Sequence, residues 1–140
     1  MTRFVGLLAG LGLAVSVAGC ATTTPPSAGA CPAGQEPRRL AQLFFGRNVG
    51  GQPGVSNEAF RKFLDEEITP RFPDGLTVLD GGGQWQGPEN KLIREASKVV
   101  LIVMPRKGDR AKVDQVRDAY KRRFKQDSVL LVTQDTCVSF

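Results

Sequence analysis

The chain contains no histidine, and only three cysteines and one tryptophan among its 140 residues. Without histidine it lacks the commonest general base at neutral pH and the commonest metal ligand. One cysteine is read below as lipidated and the other two as paired, which leaves none for a metal or a thiolate nucleophile. No Gly-x-Ser-x-Gly elbow, phosphate-binding glycine loop or dinucleotide fingerprint occurs. Gly81-Gly82-Gly83 is a glycine run without the following helix that a phosphate site needs. No catalytic residue, cofactor or metal site is assigned, and these absences weigh against an enzyme.

Long apolar runs are also missing. Phe4 to Val17 carries no charge over fourteen residues, whereas crossing a hydrocarbon core takes about 20. The length instead suits the apolar centre of an export signal, with Arg3 as its basic start. The run ends in Val17-Ala18-Gly19-Cys20. This resembles the lipobox of bacterial lipoproteins: a branched apolar residue, two small residues, then the cysteine that is lipidated before cleavage. Residues 1–19 are therefore expected to be a cleaved signal peptide, with Cys20 anchored to membrane by several acyl chains. Ala21, rather than Asp, follows the cysteine. In enterobacterial-type lipoproteins that pattern implies the outer membrane more than the inner, on the periplasmic side.

Residues 20–37 are small, polar and Pro/Thr-rich, and read as a tether. A single domain is expected over 38–140, long enough for one core. Within it, Leu40–Arg47 is a strand, followed by a Gly/Pro-rich loop. Ser56 caps a helix from Asn57 to about Thr69, with Phe60, Phe63, Leu64 and Ile68 on one face. Pro70 stops it. Leu76–Asp80 is a second strand, continued through Gln84-Trp85-Gln86 after a bulge at Gly81–Gly83. Gly87–Asn90 reads as a hairpin turn before a third strand within Lys91–Met104. Asp109 is expected to cap a second helix that turns Val113, Val116, Tyr120 and Phe124 inward. A fourth strand begins over Ser128–Thr133. The order β-α-β-β-α-β predicts an α+β, ferredoxin-like fold: a four-stranded antiparallel sheet, strand order 4-1-3-2, with both helices on one face.

That topology bears on the cysteines. Strand four would lie antiparallel beside strand one, so Cys137 near the end of one approaches Cys31 before the start of the other. A Cys31–Cys137 disulfide is expected in an oxidising compartment; the alternative leaves two free thiols, or one kept for a partner. The strands carry a second signal. Val99 to Met104 and Val129 to Val132 are apolar at both parities, and Leu43, Phe44 and Phe45 are consecutive. A sheet with helices on one side and water on the other should alternate. Something must cover the second face: a second copy, an apolar ligand or partner protein, or the loops and tether. The homodimer is the simplest cover.

The polar residues left over cluster on strand one and the central hairpin. Arg47, Gln84, Trp85, Arg94, Glu95, Ser97 and Lys98 form a candidate binding group, in which a tryptophan beside arginines suits stacking or anion binding. The plainer reading leaves Trp85 packed on the hairpin and the charges solvated. Asp65-Glu66-Glu67 reads as a solvated helix face. Lys121-Arg122-Arg123 with Lys125 complements a helix C-terminus and is a candidate contact for anionic lipid. The net charge of +5 and pI near 9.4 do not point to nucleic acid in an exported protein.

Several words of the sequence are distinctive: FFGR at Phe44–Arg47, TPRFPDGLTVLDG at Thr69–Gly81, GQW at Gly83–Trp85, and RE-x-SK at Arg94–Lys98. On these the chain resembles a bacterial family of uncharacterised secreted proteins, domain-of-unknown-function family 3574, from about Leu43 to Phe140. The family tends to read REPSK where Ala96 stands here. It carries no established activity, so the resemblance implies a secreted α+β domain and leaves the function open. The expectation is a membrane-anchored lipoprotein that binds an unknown small ligand or envelope protein without catalysis. The alternative is a small cofactor-independent enzyme of the dimeric α/β-barrel type.

Overall fold

Eleven residues, Glu36–Gly46, form β1 in the computed structural model, which describes residues 31–140. The signal segment, Cys20 and the start of the tether lie outside the described residues. β1 begins before the expected domain boundary because Glu36 and Pro37 already pair with Val138 and Cys137. Pro37 fits there because the strand on the other side starts pairing only at Arg39, so no ladder bond is lost. A two-residue ribbon follows, β2 (Asn48–Val49) and β3 (Gln52–Pro53). Then come α1 (Asn57–Phe63), β4 (Thr77–Gln86), β5 (Leu92–Met104), α2 (Asp109–Phe124) and β6 (Leu130–Val138).

The main sheet runs β4-β5-β1-β6, with every neighbouring pair antiparallel. Numbered by the four long strands, this is 4-1-3-2, the ferredoxin-like order. Both helices pack on the face that carries Ala41, Leu43 and Phe45 of β1 and Val100, Ile102 and Met104 of β5. Phe60, Phe63 and Ile68 cover it from the first helical segment, and Val113, Val116 and Tyr120 from α2. Cys31 and Cys137 are joined, with Cα atoms 5.6 Å apart. The core, the sheet and this crosslink all fall within residues 31–140, which therefore carry a complete fold.

Local chemistry differs from expectation at three places. Gly81–Gly83 form no bulge: the β4–β5 register passes through them unbroken, Gly81 opposite Ser97 and Gly83 opposite Glu95. α1 is capped as expected, Ser56 Oγ accepting from the Ala59 N–H at 3.0 Å. Its end, Leu64–Ile68, widens into a π-helical turn closed by Thr69 N–H to the Leu64 carbonyl at 2.8 Å. Asp109 is not the cap of α2. Gly108 holds that position, and buried Asp109 is the first helical residue. Its carboxylate instead accepts from the Arg106 N–H at 2.9 Å and from Lys112 Nζ at 3.1 Å, tying the preceding loop to the helix.

The strand alternation puts Leu40, Phe44, Leu79, Val99, Leu101, Val103, Leu130 and Val132 on the face away from the helices. These residues are half-buried or exposed, up to 59% for Leu130. The second face is thus apolar and uncovered among the described residues, as the doubled hydrophobic pattern predicted. No described helix is long and apolar enough to cross a membrane.

Candidate functional site

Strand parity divides the seven candidate residues. Trp85, Glu95 and Ser97 have the odd parity of β4 and β5 and point to the open face. Gln84, Arg94 and Lys98 have the even parity and point to the helix side. A tryptophan flanked by arginines therefore does not form, because Arg94 pairs with Gln84 on the opposite face from Trp85. Lys98 lies between Phe45 and Asp80, only 9% exposed, and its ammonium pairs with the Asp80 carboxylate. That hydrogen bond, and then the ammonium's charge, hold the Asp80 carboxyl below its usual range. Arg47 fastens a loop. Its Nε donates to the Val55 carbonyl at 2.7 Å, and its own carbonyl accepts from the Gly54 and Val55 N–H groups at 2.9 and 3.0 Å.

The three open-face residues share a groove of about 690 Å³ at one end of the sheet. Its floor is almost bare backbone. Gly46 of β1 flanks one side of β5; Gly81 and Gly83 of β4 flank the other. A Cβ on Gly46 would come within 2.7 Å of Glu95 Oε1, and one on Gly81 within 2.9 Å of Ser97 Oγ. Gly46 and Gly81 thus make room for the Glu95 and Ser97 side chains to lie across the sheet. Phe44, Ile93 and Leu130 give the groove apolar walls, and Trp85 stands at its edge, 46% exposed.

Two connections complete the rim: the Gly50-Gly51 turn between β2 and β3, and Lys125–Ser128 after α2. Asn48 links them to the floor. Its N–H donates to Glu95 Oε1 at 2.6 Å, and its carbonyl accepts from Gln126 Nε2 at 2.5 Å. One carboxylate oxygen of Glu95 is thereby fixed. The other, Oε2, has no protein donor among the described residues and can accept from a ligand. Gly46, Asn48 and Gln126 were not read as site residues. Gly46 lies inside the distinctive FFGR word, but nothing in the local sequence marks Gln126, which arrives through the α2–β6 connection. Among the described residues no group of three acidic or cysteine side chains could hold a metal.

Beneath the groove, Tyr120 donates from its hydroxyl to the Gly46 carbonyl at 2.8 Å. Burial, ahead of any charge, raises its phenol above the ordinary value of 10.0. The unfolded phenol ionises near pH 10 while the folded one keeps its proton. Above that pH the unfolded state binds fewer protons, so stability falls as pH rises. The expected result is a loss of stability beginning near pH 10 that is smaller in Tyr120→Phe. Denaturant midpoints of both proteins between pH 8 and 11 check it; parallel pH profiles would refute it.

Fold and groove together define a ferredoxin-like α+β module with an uncovered sheet face and a glycine-floored recess at one end. The chain belongs to the family described as "Protein of unknown function (DUF3574)", which matches residues 40–140. No curated protein matches it in sequence. Among solved structures it resembles a phage SAM lyase in complex with S-methyl-5'-thioadenosine, at 20% identity and a TM-score of 0.58. The likeness covers 74% of this chain and 90% of the lyase. The apo form of a phage SAM lyase aligns at 21% identity and a TM-score of 0.55, over 79% and 94% of the two chains. A PII-like protein, CPII from Thiomonas intermedia K12, aligns at 14% identity and a TM-score of 0.43, over 76% and 97%. At these identities the lyase structures support the fold.

Proposed function

We propose that the protein is an envelope lipoprotein, exported by residues 1–19 and anchored through Cys20, whose domain binds a small ligand in the groove beside Trp85. The observation that carries the binding reading is the recess itself. A half-exposed indole stands over a strip of glycine backbone in which one oxygen of Glu95 is fixed by Asn48 and the other is open. A flat ring fits against the indole, and hydroxyl or amine donors fit Glu95 Oε2. The Cys31–Cys137 bond is consistent with a location outside the cytoplasm. The phage lyase supplies a first probe, because S-methyl-5'-thioadenosine joins a flat purine to a ribose with hydroxyl donors.

The single tryptophan makes the test direct. Titration of S-methyl-5'-thioadenosine, and then of envelope glycans and lipid headgroups, should give a saturable change in Trp85 fluorescence with one of them. Glu95→Ala should weaken that binding by roughly 10- to 100-fold, the cost of a charged hydrogen bond. Gly46→Ala should weaken it too, because its Cβ would displace the Glu95 carboxylate. A flat response to every probe would count against a small-ligand site.

A second copy is proposed to cover the open face and roof the groove. Four strands about 4.8 Å apart and some eight residues long make a projected face of about 500 Å². With side-chain relief this approaches the roughly 800 Å² per partner of a standard interface. A roofed groove would enclose Glu95 in apolar walls, as the alternative of a cofactor-independent enzyme requires. Light scattering on fragment 27–140 should give twice the monomer mass, and Leu101→Lys, at the centre of the face, should halve it. A wild-type monomer would remove both the roof and the enzyme alternative.

A further inference from the structure

A second cavity, of about 700 Å³, lies at the opposite end of the sheet from the groove. It is walled by the start of β1, the end of β6 and the loop before α2. Five cations line it, Arg38, Arg39, Arg106, Lys107 and Arg110, against one carboxylate, Asp135. We propose that this cleft is a docking surface for anionic phospholipid headgroups, so that the domain stands on this pole with the groove facing away from the bilayer.

Four of the cations already touch carboxylates. Arg38 meets Glu36, Arg39 meets Asp135 at 3.1 Å, Arg106 meets Asp74 at 2.7 Å, and Arg110 meets Asp114 at 3.1 Å. Arg39, Arg106 and Arg110 are each more than half exposed. Pairs of that kind are worth little in water. The ion pair of each of these three runs through one named nitrogen, Nε of Arg39 and Arg110 and an Nη of Arg106, and a guanidinium carries five N–H donors in its fork, which suit a phosphate. Lys107 has no ion-pair partner among the described residues, and Phe140, fully exposed, follows β6 at the same pole. Cations and an exposed aromatic ring at one pole suit a membrane surface better than a free phosphate ion.

The crosslink supplies the independent geometric reason. Cys31 lines this cleft and is bonded to Cys137, so the chain leaving toward Cys20 departs from the cleft's rim. The eleven residues from Cys20 to Cys31 reach at most about 40 Å, and the rim of this cleft is the first part of the domain they meet. β1 then spans its eleven residues, about 35 Å, to the groove. Lys121–Arg123, the cations singled out in the sequence, end α2 at the far pole. There Arg123 pairs with Glu66 at 2.7 Å and Lys121 with Asp118 at 2.8 Å. The orientation rests on the Cys20 reading; the affinity of the cleft for lipid does not.

The test uses fragment 27–140, which lacks the anchor, in flotation with vesicles of phosphatidylcholine alone or with about 30% phosphatidylglycerol. Binding only to the anionic vesicles is expected, weakening steeply as salt rises. The triple variant Arg106→Ala, Lys107→Ala, Arg110→Ala should bind about a hundredfold more weakly, since each cation near an anionic surface contributes about fivefold. The far-pole pair Arg122→Ala, Arg123→Ala should bind like wild type. Equal binding to neutral vesicles, an unaffected triple variant, or a loss in the far-pole pair instead would overturn the proposal. So would displacement by millimolar inorganic phosphate, which would mark a free-anion site. Palmitate labelling of the full chain in cells tests the anchor separately: its failure would sink the Cys20 reading and leave the vesicle result standing.

Discussion

Breaking the Cys31–Cys137 bond is expected to cost roughly 4–5 kcal/mol, the chain-entropy value for a loop of about a hundred residues. That is a large share of a typical domain's 5–15 kcal/mol. The crosslink joins the start of β1 to the end of β6, strands that pair from Glu36–Val138 to Phe44–Leu130. Its effect therefore falls mainly on the unfolded chain, whose ends it holds together. For a domain of this size the melting temperature should drop by roughly 20–30 °C. The comparison is thermal unfolding of the oxidised protein against the double variant Cys31→Ser, Cys137→Ser. A difference under about 1 kcal/mol would mean that the unfolded chain already keeps these ends close. Because β1 pairs with β6 alone before Arg39, amide exchange should rise first at Arg38 and Arg39, the pole that carries the basic cleft.

Phe45→Ala should destabilise by about 3–5 kcal/mol, while Phe44→Ala, one residue earlier, should cost under about 1.5 kcal/mol. The contrast comes from pleat alone. Phe45 faces the helices, fully buried, with its ring centroid 4.7 Å from that of Tyr120, 5.5 Å from Phe60 and 6.0 Å from Phe63 in edge-on geometry. Removing it leaves a ring-sized void among side chains that are themselves fixed. Phe44 faces the open side and is half-buried, so its loss should appear in self-association and in the groove it walls. The Phe45 void also lies next to Gly46, whose carbonyl is held by Tyr120, so ligand affinity in the groove should fall as well. Urea unfolding of the two variants decides the point. Equal costs would mean that the two faces of the sheet are equally buried in solution.

The candidate site was legible only in part. Trp85, Glu95 and Ser97 were marked as polar or aromatic residues left over from the core pattern, and they do share one groove. Arg94 and Lys98 sit in the same stretch of sequence and were grouped with them, yet each lies one residue from Glu95 or Ser97 and so on the other face. Adjacency along a strand is separation across it. Arg47 was read as a ligand contact, but its guanidinium is used locally on the Val55 carbonyl. Asn48 and Gln126 were missed because their meeting at Glu95 depends on the ribbon after β1 and the turn after α2, which no short-range pattern encodes.

The expectation of an export signal, a lipobox and a tether rests on the sequence alone, as local runs of size, charge and polarity. The secondary elements and their order were equally local: hydrophobic period separates helix from strand, and Ser56 and Pro70 mark an end apiece. The doubled apolar pattern of the strands marks an uncovered sheet face by itself. Tertiary structure alone decided that Gly46 and Gly83 lie level with Ser97 and Glu95 across neighbouring strands and line a groove. It alone put five cations around the crosslinked pole. Both depend on which residues face each other across strands, from Gly83 and Glu95 in one hairpin to Arg39 and Asp135 near the two ends of the domain. That register is set by packing the whole sheet against its helices.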